Sequence, residues 1–110
     1  MPSYESPFTA DVRHQDGCAL ILLAGELDMA TGPVLTQSID EILHPQLQAV
    51  TVDLTELTFV DIAGLRALLA AKHTVTSADA RFRLLSVSDL TRRVIQIVRF
   101  DGLEEALETV

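Results

Sequence analysis

The chain has a single cysteine, Cys18, so it cannot form an internal disulfide. Because that residue falls within an apolar stretch, it is expected to be a small buried hydrophobe. Metal-ligand spacings are missing too. His14, His44 and His73 stand far apart, and no HxH, HExxH or CxxC pattern occurs, so neither a metal site nor a cofactor is expected. The GxSxG nucleophile elbow, the GxGxxG fingerprint and a glycine-rich phosphate loop are all absent. Positive charge is scarce: eight lysines and arginines against 16 acidic residues leave a net charge of −8, which argues against nucleic acid as a partner. No apolar run approaches the ~20 residues of a bilayer span, and the longest, Cys18 to Ala24, has the length of a buried strand. Membrane insertion is therefore not expected. The opening MPSYESPFTADVRHQ lacks a basic region followed by an apolar core, so no secretory signal is read and a cytoplasmic location is expected.

What remains is an ordinary globular composition, 48% hydrophobic and 22% charged over 110 residues, which suits one domain. Residues 1–7 read as a flexible leader and 8–110 as the domain. Phe8, Ala10 and Val12 alternate with polar residues, giving a half-exposed first strand. Gln15-Asp16-Gly17 is a turn signal. A strand from Cys18 to Gly25 is apolar on both faces and is expected at the centre of the sheet. Glu26-Leu27-Asp28 follows as a loop, and a helix starts between Thr31 and Pro33, with Leu35, Ile39, Ile42 and Leu43 as its stripe and Pro45 as its stop. Val50, Val52 and Leu54 mark a third strand, and Thr55 to Val60 a short connection. Asp61 is placed to cap a second helix. Phe82 to Val87 forms the last strand. Ser88 and Asp89 start a third helix lined by Leu90, Val94, Ile95, Ile97 and Val98, ended by Asp101-Gly102 before a final turn over 103–107. The order ββαβαβα requires crossover connections, hence an α/β fold with a mixed, mostly parallel sheet and an N-terminal antiparallel hairpin.

The helix after Asp61 carries the most information. At 100° per residue, Gly64, Leu65, Leu68, Leu69, Ala71 and Val75 gather on one side and are expected to bury against the sheet. Lys72 falls on that side with its amine reaching solvent. The other side shows Ala63, Arg66, Ala67, Ala70 and His73. Alanine is the best helix former, yet such a face is also low in relief, with Arg66 as a charged anchor for a partner. The pattern alone leaves both readings open.

Three segments carry a family resemblance: GELDMATGPVL (residues 25–35), VDLTELTFVDIAGLRALL (52–69) and SVSDLTRRVIQIVRFDGL (86–103). In this order and spacing they resemble a STAS domain, specifically the bacterial anti-sigma factor antagonists, over nearly all the chain from Phe8 onward. The resemblance implies a cytoplasmic regulator without catalytic activity. Its partner would be an anti-sigma factor, a serine kinase with a histidine-kinase-like ATPase fold, whose capture frees a sigma factor for transcription. In that family the kinase switches its antagonist off by phosphorylating the serine immediately before the helix-start glycine.

Here the motif reads Asp61-Ile62-Ala63-Gly64. Asp61 and Gly64 match, but Ala63 has no hydroxyl, so phosphate transfer to that position is chemically impossible. Thr58 lies upstream and does not match the acceptor position. The expected docking surface comprises Asp28, Asp61, Ile62, Ala63, Gly64, Arg66, Ala67 and Ala70. Asp28 joins it if the second and third strands are neighbours, because their following loops then emerge at one sheet end; an equally open reading is that its carboxylate holds the loop. Two further readings stay open. One is a STAS accessory subunit of a lipid-transport complex, docking on an ATPase; the other is an enzyme using Asp61.

Overall fold

The computed structural model describes residues 8–97 together with Leu103 and Ala106. The chain starts with an antiparallel hairpin. Strand β1 (Thr9–Gln15) pairs with β2 (Cys18–Leu27) in a register that ends at Gln15 opposite Cys18. Only Asp16 (φ 50°) and Gly17 (φ 81°) remain between them, both left-handed. This is the backbone of a type I′ turn, whose twist suits the flanking strands.

Beyond the hairpin, the order is α1 (Gly32–Ile42), β3 (Ala49–Val60), α2 (Ile62–Ser77), β4 (Arg81–Leu85) and α3 (Asp89–Ile97). The four strands lie in sequence order, with β2–β3 and β3–β4 parallel. The expected α/β architecture and the central place of β2 therefore hold. A Schellman motif closes α2: Ala80 N donates to the Val75 carbonyl (3.2 Å) and Asp79 N to that of Thr76 (3.0 Å), with Asp79 at φ 62°.

Side chains on one face of the sheet, among them Ile21, Leu23, Val50, Val52 and Leu84, merge with Leu35 and Ile39 of α1 and Leu65, Leu68 and Val75 of α2 in one buried core. Of the stripe read for α1, Leu35, Ile39 and Ile42 are buried, whereas Leu43 follows the last helical residue and is half-buried. Leu103 and Ala106 are buried as well, and Ala106 N donates to the Leu103 carbonyl at 3.0 Å. On the opposite face Leu20, Leu22, Ala24, Thr51, Asp53 and Arg83 are half-buried, and no described helix covers them.

Several expectations need correction. Cys18 is exposed, because it opens β2 on the uncovered face. Leu69 is half-buried rather than buried. Leu90, expected on the buried stripe of α3, is 73% exposed, whereas Ile95 is fully buried. Val87 lies outside β4, since Ser86 at φ 62° turns the chain out of the sheet after Leu85. Glu26, Leu27 and the segment from Thr55 to Val60 are strand, not loop: β2 and β3 pair as far as Leu27 opposite Val60. The leader at 1–7, Val98, Arg99, Asp101-Gly102 and most of the final turn lie outside the described residues.

The two faces of β2 make a direct test of this arrangement. Truncating Leu23 on the covered face to alanine should cost about 2–5 kcal/mol of unfolding free energy in a urea titration. Leu22→Ala on the uncovered face should cost less than half as much.

Candidate functional site

Where β2 and β3 end side by side, two chain segments are delivered to one end of the sheet. Leu27 and Val60 are register partners, and Asp61 N donates to the Leu27 carbonyl at 3.4 Å. The β2–α1 loop and the start of α2 therefore leave together, as expected from strand adjacency.

Asp61 caps α2. Its backbone is extended (φ −109°, ψ −172°), and its Oδ1 accepts from Gly64 N at 2.8 Å, satisfying one of the orphan N–H groups of the first turn. Gly64 fills a place that no larger residue can take. A Cβ there would run into the Leu27 carbonyl oxygen and come within 2.8 Å of Val60 Cγ2. The missing side chain lets the helix start seat directly on the ends of both strands.

The β2–α1 loop is held from within. Asp28 Oδ1 accepts from Ala30 N (2.9 Å) and Thr31 N (3.1 Å). The Thr31 hydroxyl donates to the Glu26 carbonyl at 2.7 Å and accepts from Asp28 N at 2.9 Å. Asp28 thus organises the loop, the structural reading that its sequence context left open. Thr31 has no side-chain bond to the helix it precedes; Gly32 N instead donates to the Asp28 carbonyl at 2.8 Å, and Pro33 sits in the first turn.

The loop, α1 and α2 border a shallow depression of about 670 Å³ lined by Asp28, Met29, Gly32, Pro33, Thr36, Gln37, Asp40, Ala63, Arg66 and Ala67. It brings together four of the eight expected residues: Asp28, Ala63, Arg66 and Ala67. Asp61 and Gly64 serve the helix start, Ile62 is 41% exposed beside it, and Ala70 is exposed a turn beyond Ala67. The alanine face differs from expectation. Ala63 and Ala67 are half-buried because α1 runs alongside, and a Cβ built on Gly32 would lie 3.2 Å from Ala67 Cβ. Ala67 is thus partly a helix-packing residue, which the periodicity of α2 alone could not reveal. Sequence reasoning missed Met29, which is 81% exposed at the rim. The available signal was a large apolar side chain inside an otherwise polar, turn-rich loop.

Against known proteins, residues 10–107 match the family model described as "Mlab, STAS domain". The chain belongs to the STAS domain family. Among curated relatives, this STAS domain is 27% identical to the anti-sigma-F factor antagonist RsfB of Mycobacterium tuberculosis, over 84% of this chain and 75% of that protein. It is 25% identical to the anti-sigma-B factor antagonist of Listeria monocytogenes, over 80% and 75%. Among solved structures, an anti-sigma factor antagonist from Mycobacterium paratuberculosis superposes with a TM-score of 0.77 at 27% identity, covering 100% of this chain and 92% of that one. The unphosphorylated antagonist SpoIIAA shares the fold, with a TM-score of 0.72 at 21% identity over 94% and 88%. No helix among the described residues of this STAS domain is long and apolar enough to cross a membrane.

The helix start yields a paired test by urea denaturation. Asp61→Ala should lower stability by about 0.5–2 kcal/mol through loss of the cap. Gly64→Ala should cost at least about 1–3 kcal/mol, because its Cβ meets backbone that cannot move without parting the strands.

Proposed function

We propose that this STAS domain is an anti-sigma factor antagonist acting in the cytoplasm, without catalytic activity of its own. The observation that carries the reading is that β2–β3 pairing delivers two segments to one end of the sheet. There the β2–α1 loop, with Met29 at its rim, meets the capped start of α2 beside Ile62 and Arg66. The names of the curated relatives support it. The partner on this reading is an anti-sigma factor of the serine-kinase type with a histidine-kinase-like ATPase fold, contacted through Asp28, Asp61, Ile62, Ala63, Gly64, Arg66, Ala67 and Ala70.

Ala63 occupies the position where the family's phospho-acceptor serine would stand. It is the second residue of α2 and lines the depression with Asp28 and Arg66. A phosphate at this point would add roughly −1.5 to −2 charge close to two carboxylates that already hold the loop and the helix. With no hydroxyl at 63, the docking end keeps its small apolar character, and the antagonist stays competent to bind.

The weaker second reading is an accessory subunit docking on the ATPase of a lipid-transport complex. Partner identity separates the two.

The test uses substitutions at exposed positions, since Ala67 also packs against α1. Wild-type protein should capture a kinase-like anti-sigma factor from native lysate, while Arg66→Glu and Met29→Asp should lose most of it with unchanged far-UV circular dichroism. Recovery of a transport ATPase instead would select the second reading, and equal capture by both variants would remove the proposed surface. Incubation with the captured kinase and ATP should leave residues 61–64 free of phosphate by mass spectrometry, whereas Ala63→Ser should become an acceptor.

A further inference from the structure

Strand β1 stands at one edge of the sheet, with β2 on one side and no described strand on the other. Its seven residues, TADVRHQ, pair with β2 in one unbroken register, from Thr9 opposite Ala24 to Gln15 opposite Cys18. That register fixes where the backbone groups point. In a hairpin closed by two residues, the pair flanking the turn exchanges both backbone hydrogen bonds, and such pairs alternate along the ladder. Gln15, Arg13, Asp11 and Thr9 therefore direct their N–H and C=O groups at β2, whereas Ala10, Val12 and His14 direct theirs outward. No loop among the described residues bonds to the backbone of those three.

The side chains divide in the same alternation. Ala10 and Val12 pack against the core on the helix-covered face. Asp11 and Arg13 stand exposed on the other face, 3.5 Å apart. Charges on an edge strand commonly guard it against pairing, but here opposite signs are placed symmetrically about Val12. We propose that β1 is a self-recognition edge, on which a second copy of this chain pairs its own β1 antiparallel about a two-fold axis at Val12.

Charge selects both the occupant and the register. Opposed residues of antiparallel strands share a face, so a two-fold axis normal to the sheet must set one residue against its own counterpart. With the axis at Val12 all seven residues overlap, and Asp11 of each copy stands opposite Arg13 of the other. These are non-hydrogen-bonded positions, where side chains come closest, and opposite charges there attract. Moving the axis one residue either way sets Asp11 against Asp11 or Arg13 against Arg13, which disfavours both slips. Ala10, Val12 and His14 meanwhile find partners for their outward backbone groups. Strand β4, at the other end of the described sheet, lacks this symmetry: it carries Arg81 and Arg83 and no acidic residue.

The pairing is weak. A seven-residue edge is small beside the roughly 1,200–2,000 Å² of a stable interface, and the net charge of −8 on each copy opposes approach. The dimer therefore forms with rising concentration instead of being permanent. Helix α1 lies over β1, and α2 over β3 and β4, so the second copy joins the side of the sheet away from α2. The inference does not depend on what docks at the start of that helix.

The experiment is sedimentation equilibrium of the full chain from about 10 μM to 1 mM, the span in which a weak pairing shows. A monomer–dimer equilibrium is expected, with amide hydrogen exchange at Ala10, Val12 and His14 slowing as concentration rises. Asp11→Arg and Arg13→Asp should each weaken association roughly tenfold, because two-fold symmetry turns both attractive pairs repulsive. The double variant Asp11→Arg/Arg13→Asp should restore it. Both side chains are exposed, and unchanged far-UV circular dichroism checks that every variant folds. Arg66→Glu should associate like wild type. The proposal is overturned by a chain that stays monomeric at the highest concentration, by single variants that associate as well as wild type, or by a double variant that does not recover. Loss of association in Arg66→Glu, or protection of Ala10, Val12 and His14 that does not change with concentration, would also overturn it.

Discussion

The parallel pairing of β2 with β3 is the constraint on which the rest of the molecule depends. Because the two strands stay in contact up to Leu27 and Val60, the segments that follow must start at the same place. One is a loop tied by Asp28 and Thr31; the other is a helix capped by Asp61. Gly64 then presses the helix start against the Leu27 carbonyl, so strand ends, loop and helix form one unit. A shift of either strand by one residue would turn its core side chains to the other face and part the loop from the helix.

The two register shifts in that pairing shape β3 itself. Between Leu22/Ala24 and again between Gly25/Glu26, β3 carries an extra residue relative to β2. Asp53 Oδ1 accepts the Thr55 N–H at 2.9 Å at the first shift, and the Thr58 hydroxyl donates to the Gly25 carbonyl at 3.2 Å near the second. Such bulges bend a strand and re-aim its side chains. After Val50, Val52 and Leu54, the next apolar residue of β3 is Leu57, three on instead of two, and it lines a cleft against α3 with Phe59 and Val60. A period-two reading stops at Leu54 for this reason, and a twelve-residue strand looks like a short one followed by a loop.

This explains which parts were legible. The β1–β2 turn, the stripes of α1 and α2 apart from Leu43 and Leu69, the Asp61 cap and the Ser88 start of α3, where Ser88 Oγ accepts from Thr91 N at 3.1 Å, all follow local rules of turn chemistry, periodicity and capping. Errors fell where a distant element decides. Cys18 sits in an apolar run, but on the face that no described helix covers. Ala67 reads as solvent-facing from α2 alone, until Gly32 of α1 comes close enough to half-bury it. Leu90 is in phase with Val94, but the start of α3 overhangs a cleft instead of the core.

The amino-acid order by itself determined the class of fold, the succession of elements, the family resemblance through GELDMATGPVL and DIAGLRALL, and the lack of a hydroxyl at position 63. Each of these rests on residue identity or on spacing within one element. Tertiary structure alone decided that Asp28 and Thr31 brace each other beside the start of α2, that Ala67 divides its surface between α1 and the depression, and that β3 runs on past Asp53, its last pairing with β4. Those are relations between segments far apart in the chain, and no local period encodes how far two strands stay paired.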